Sequence, residues 1–151
     1  DLRLILFGGE EQGLFGSLQY VAGLSTAERG RIRAVVNMDM IGCLNHSPPS
    51  VLIEGATVSQ NVIDGLAAAA ATYTELTVET SLDPFASDHK PFIDDGLPAV
   101  LTIEGADQTN PHDHTGDDVI ANINYDIALE ILRMNVAYVA LAIGRTENAP
   151  A

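Results

Sequence analysis

Basic residues are scarce in this chain: 7 Lys and Arg stand against 21 Asp and Glu, giving a formal net charge of -14. So negative a surface repels nucleic acid and anionic membranes, and suits a protein that gathers cations or simply stays dispersed. Cysteine is nearly absent too: Cys43 is alone, so no intrachain disulfide forms and the redox compartment stays undetermined. No uncharged apolar run approaches the roughly 18 residues of a membrane span. Internal repeats and linker-like shifts in composition are also missing. What remains is 151 residues with 46% hydrophobic and 19% charged content. That is the composition of a globular chain long enough for a real core, and the expectation is a single α/β domain over residues 1–151.

The richest stretch is LRLILFGGEEQGLFGS, Leu2 to Ser17. Its apolar run predicts a buried strand over Leu2–Phe7, stopped by two glycines. Beyond Gly13 the apolar spacing turns helical, so Glu10 and Glu11 occupy a strand-to-helix turn. In open α/β sheets, the crevice at the carboxyl ends of strands is where ligands bind. Two neighbouring carboxylates repel there, and a cation or a proton relieves them. A solvated acidic helix start explains the pair equally well when it is taken alone.

Farther along, Ser25 and Glu28 form a capping box. Ile32–Met38 predicts a second buried strand ending at Asp39, another acid where an apolar strand runs out. Val51–Ile53 predicts a short strand, and Val58–Tyr73, with its five alanines, a helix packed closely on a sheet. Leu76–Thr80 alternates like a strand. SDHKPF opens a short helix ending at Gly96, with Ser87 placed to cap it and Pro91 early in it. Pro98–Ile103 is apolar strand again. The polar segment Gly105–Asp118 carries His112, Asp113 and His114, and Asn124–Ile143 predicts a last amphipathic helix with Ile127, Ile131, Met134, Tyr138 and Leu141 on one face. This order predicts a three-layer α/β/α sandwich around a mostly parallel mixed sheet. Carboxylates and imidazoles without thiolates, gathered at element ends, are donors suited to catalytic zinc, manganese or cobalt.

Taken together and in order, GGEEQGLFGS, NMDMIG, SDHKPF with GLPAV, and HTGDDVIANIN resemble the co-catalytic zinc exopeptidases, the bacterial aminopeptidase and aminopeptidase Y type, with glutaminyl cyclases as relatives. The resemblance implies a zinc aminopeptidase acting on peptides with a free N-terminus. By it, Glu10 is the general base towards zinc-activated water and Glu11 a ligand of one zinc. Asp39 is a ligand of the other, and His114 shares the metal of Glu11. Asp88 is an acid that orients ligands near Asp39. His89 has no assigned role.

Members of that family also carry a His and a metal-bridging Asp upstream of the EE turn, where this chain has no residues, so three of the five ligands of a two-zinc site are present. The chain opens at Asp1 directly before a strand, and the expectation is the C-terminal portion of the catalytic domain. A truncated sheet exposes an edge or an apolar face and invites self-association. Asp113 stands where the family often has a Tyr that supports the oxyanion, and an ionised acid cannot do so. Two other readings remain open: a non-catalytic domain serving assembly or binding, and a single-zinc glutaminyl cyclase relative. The absence of Trp speaks against the aromatic walls expected for the latter. A secreted or periplasmic location is implied by the resemblance alone.

Overall fold

The structure, a computed structural model, describes residues 1–144; of the expected domain, residues 145–151 lie outside the described residues. Four strands form one mixed sheet: β1 (Val35–Met38), β2 (Ser50–Gly55), β3 (Thr77–Ser81) and β4 (Ala99–Glu104), in the spatial order β1-β4-β2-β3. β1 runs parallel to β4 and β2 parallel to β3, while β2 and β4 are antiparallel.

Helices cover both faces. Val51, Ile53 and Val100 bury one face against α3 (Gln60–Tyr73) through Val62, Ile63, Leu66, Ala69 and Ala70, and against α5 (Tyr125–Gly144) through Ile127, Ile131 and Met134. The alanines let α3 sit close, and Gly65 sits so near the Tyr138 ring that an added Cβ would lie 2.6 Å from it. On the opposite face, α1 (Phe15–Gly23) and α4 (Lys90–Asp94) bring Val21 and Phe92 against Ala99, with Leu24 and Leu97 beside them. α2 (Thr26–Arg29) begins at the expected capping box, with both the Ser25 and Glu28 halves made. The three-layer α/β/α sandwich expected from the element order is the observed architecture.

Two elements differ from expectation. Leu2–Phe7 is not a strand; it takes no regular secondary structure, and Leu4 and Leu6 are 89% and 101% exposed. An unbroken apolar run becomes a buried strand only when a neighbour satisfies its backbone, and no described strand pairs with it. It is held instead by the Phe7 ring, 5.7 Å from Tyr20 and 6.1 Å from Phe92. α5 is the second. Its 20 residues include an 18-residue window of mean hydropathy 1.6, which makes it, by length and composition, long and apolar enough to cross a membrane. Ile127, Ile131 and Met134 nevertheless pack onto the sheet, while Leu141, expected on that face, is 52% exposed.

Candidate metal centre

Glu10 and Glu11 sit on a tight turn closed by Gly13 and Leu14 N–H groups donating to the Glu10 carbonyl, both at 2.9 Å. The turn ends in a left-handed Leu14 (φ 59°) that starts α1. The His114 backbone is also left-handed, at φ 54°. Between them, residues 103 apart in sequence meet: His114 Nε2 lies 3.2 Å from Glu11 Oε1 and 3.1 Å from Oε2. The two side chains are exposed.

Asp39 follows β1, and its backbone N–H still reaches the Thr102 carbonyl at 3.4 Å. The next residue, Met40, is left-handed (φ 48°), and its carbonyl still accepts the Glu104 N–H of β4 at 3.0 Å. Ser87 Oγ donates to Asp39 Oδ2 at 2.7 Å and accepts from Asn37 Nδ2 at 2.9 Å. Ser87 was expected as a helix cap; its side chain is instead buried and spent on the acid, and His89 is the residue that precedes α4. Asp88 accepts from the Ser17 hydroxyl of α1 at 2.5 Å. The described hydrogen bond to Asp39 on this side comes from Ser87, the neighbour of Asp88.

Glu10 lies among these groups. Partial burial pushes its carboxyl above the usual range, and the charges of Asp39, Glu11 and Asp88 push the same way, against a smaller opposing effect of His114. The charges of the other four sequence-derived site residues all act on Glu10, and among the five the described side-chain contact is that of Glu11 with His114. His89 stands apart: it is fully buried, neither ring nitrogen has a described hydrogen bond, and burial lowers its pKa to about 4.

Sequence reasoning overlooked Glu104, the last residue of β4. It is fully buried, and it accepts from the Cys43 backbone at 2.5 Å and from Asn110 Nδ2 at 2.7 Å. It thereby pins the loop after Asp39 to the loop that leads to His114. The signal that marked Asp39, an acid directly after an apolar strand, was present here too.

The donors fit zinc in kind. Two ligands on a tetrahedral zinc, with bonds near 2.0–2.2 Å, are about 3.4 Å apart. The 3.1–3.2 Å between His114 Nε2 and the Glu11 oxygens is close to that, so both could hold one ion with little movement. Asp39 Oδ1 has no hydrogen bond to a described residue and is available for a second. In number the donors fall short: among the described residues no group of three or more His, Cys, Asp or Glu is arranged to hold a metal ion.

Comparison with known proteins bears on the family and the fold. The family profile of peptidase family M28 matches residues 1–139. Leupeptin-inactivating enzyme 1 of Streptomyces exfoliatus is 31% identical over 166 residues, covering 99% of this chain and 36% of that protein. Aminopeptidase YwaD of Bacillus subtilis is 30% identical over 127 residues, covering 82% and 28%. BSAP, a zinc aminopeptidase from Bacillus subtilis, superposes with a TM-score of 0.80 at 27% identity, over 90% of this chain and 34% of that one. A glutaminyl cyclase of Macrostomum lignano, at 18% identity and TM-score 0.68, shares the fold. The chain spans about a third of the length of the first two relatives.

Proposed function

Because this chain belongs to peptidase family M28, we propose that it forms part of a metal-dependent aminopeptidase that hydrolyses the first peptide bond of substrates with a free N-terminus. The observation that supports this most directly is the meeting of Glu11 and His114 beside a Glu10 of raised proton affinity. Glu11 and His114 would hold one zinc and Asp39 would contribute to a second. Zinc bound there supplies Lewis acidity, which polarises a peptide carbonyl and makes water a better nucleophile near neutral pH.

The rest is work for the chain's own side chains. Glu10, within the acid cluster, takes the proton of the attacking water and delivers it to the departing amine, the task of a positioned carboxylate general base. Ser87 fixes the rotamer of Asp39, and Asn37 fixes Ser87. Ser17 holds Asp88 close by, so a carboxylate remains at hand to balance the ammonium of a substrate N-terminus. The family resemblance extends the reading to a secreted or periplasmic setting.

The test is zinc-dependent release of N-terminal residues from short peptides, with Glu10→Ala alongside. Hydrolysis that is absent with zinc, or unaffected by Glu10→Ala, removes the reading or the role of Glu10 respectively.

A further inference from the structure

A cavity of about 230 Å³ opens on the sheet face opposite α3 and α5, lined by Glu54, Asp83, Phe85, Leu101, Ile103 and Asp107. One water needs only about 10–15 Å³, so the space has room for an amino-acid side chain. Strand register relates it to the metal centre. Asn37 pairs with Leu101, and Leu101 with Glu54, so these three side chains share one face on one rung of the sheet. Asn37 is bonded to Ser87, which is bonded to Asp39. With strands about 4.8 Å apart, the cavity floor lies about 10 Å from the strand that ends at Asp39. Phe85, 76% exposed, stands at the mouth two residues before Ser87.

The lining joins two kinds of chemistry. Leu101 and Ile103 are apolar and buried. Glu54 is only 9% exposed; its Oε2 accepts the Phe85 N–H at 3.1 Å, and among the described residues nothing bonds Oε1 and no base pairs with the carboxylate. Asp83 and Asp107 add negative charge around it. A buried acid without a cation is costly, and an incoming ammonium or guanidinium relieves it. Lysine and arginine carry an apolar stem behind a cationic head, which matches walls and floor together. A purely aliphatic side chain would leave Glu54 desolvated and unpaired.

We propose that this cavity receives the side chain of the substrate's N-terminal residue and selects a cationic one, lysine or arginine, with Glu54 as the specificity-determining acid. The assignment rests on the aminopeptidase reading of the adjoining centre, since that reading brings an N-terminal residue here.

Calorimetric titration of the zinc-loaded protein with L-argininamide, L-lysinamide and L-norleucinamide tests it without requiring turnover. The two cationic amides should bind at least about tenfold tighter than norleucinamide, the scale of a charge-assisted hydrogen bond. Glu54→Gln keeps the shape, should melt no lower than the parent, and should erase that preference by weakening the two cationic amides, with norleucinamide bound at least as tightly as by the parent because a neutral amide costs less to desolvate. Asp83→Asn should reduce the preference only in part. Equal or tighter binding of norleucinamide, binding of none of the three, or a preference that survives Glu54→Gln overturns the proposal. Hydrolysis is read separately on lysyl and leucyl peptides. A binding preference without any turnover would overturn the aminopeptidase reading and, with it, the substrate role of the cavity, and would uphold only its selection of cationic side chains through Glu54; turnover that favours leucine would overturn the cavity assignment alone.

Discussion

The Glu11 carboxylate presents both oxygens to the His114 imidazole at nearly equal distance, 3.1 and 3.2 Å, across 103 residues of sequence. A single N–H cannot point well at both oxygens, whereas a cation between the groups can satisfy them together. Glu11→Ala and His114→Ala should each weaken zinc binding by more than the roughly 10–100-fold that loss of a group merely supporting a ligand costs. Because both hold the same ion, the double variant should cost little more than either single one. Zinc titrations in which the two losses simply add would show that the residues serve different sites.

Glu10→Ala is expected to leave zinc affinity within about twofold and to reduce peptide hydrolysis by roughly 10²–10⁴, the usual contribution of a positioned base. Metal analysis and turnover on the same preparation separate the two effects. Lost zinc would make Glu10 a ligand.

His89 predicts a pH dependence of stability. Its pKa falls from 6.5 to about 4 in the folded chain, so between those values the unfolded chain binds a proton that the folded one refuses. Stability should therefore drop as pH falls through this window and level off below it, by roughly 3 kcal/mol. Urea melts of His89→Gln should show a shallower loss between pH 7 and 4.5 than the parent. Parallel slopes would mean that His89 is protonated as easily folded as unfolded.

Gly105→Ala should destabilise the fold by roughly 1–3 kcal/mol, an ordinary cost of overpacking. An added Cβ would lie 1.7 Å from Ser50 Oγ. That hydroxyl cannot simply rotate away, because it is bonded to His46 at 2.7 Å and to Glu79 at 3.0 Å. A melting temperature equal to the parent's would mean that this strand end yields more readily than the contacts imply.

Ser87→Ala tests the support of Asp39. It removes the hydroxyl between Asn37 and Asp39 and should cost about 1–3 kcal/mol of stability, since the Asn37 amide is left without its acceptor. An unchanged denaturation midpoint would mean that water replaces the hydroxyl at no cost.

What the sequence made legible follows from the range of the forces involved. β-branched runs and alternation located β1 to β4 because each residue type reports its own burial, and the Ser25–Glu28 box is a purely local device. The polar clusters that hold Glu10, Glu11, Asp39, Asp88 and His114 could be seen at element ends, the resemblance to the zinc exopeptidases singled out these five, and the charges of the other four act on Glu10. Leu2–Phe7 misled because pairing depends on a neighbour, which a local pattern does not specify. Ser87 looked like a cap because hydroxyls near helix starts usually are; its actual partner is 48 residues away. Glu54 and Glu104 sit inside or at the end of apolar strands, where their meaning depends on which face they take and what closes over it.

Among the described residues, four that are not glycine take left-handed backbone, Leu14, Met40, Ala106 and His114, and three of them adjoin or belong to the metal centre. Each such conformation costs on the order of 1–3 kcal/mol, supplied by the packing around it. Glycine would relax the strain at Leu14 or Met40. A selection for heat resistance alone would therefore favour glycine at the very positions that aim Glu11 and Asp39, and would raise the melting temperature as it loosened the grip on metal. Screens for durable variants of this protein should score metal retention and thermal survival together, because here the two pull against each other.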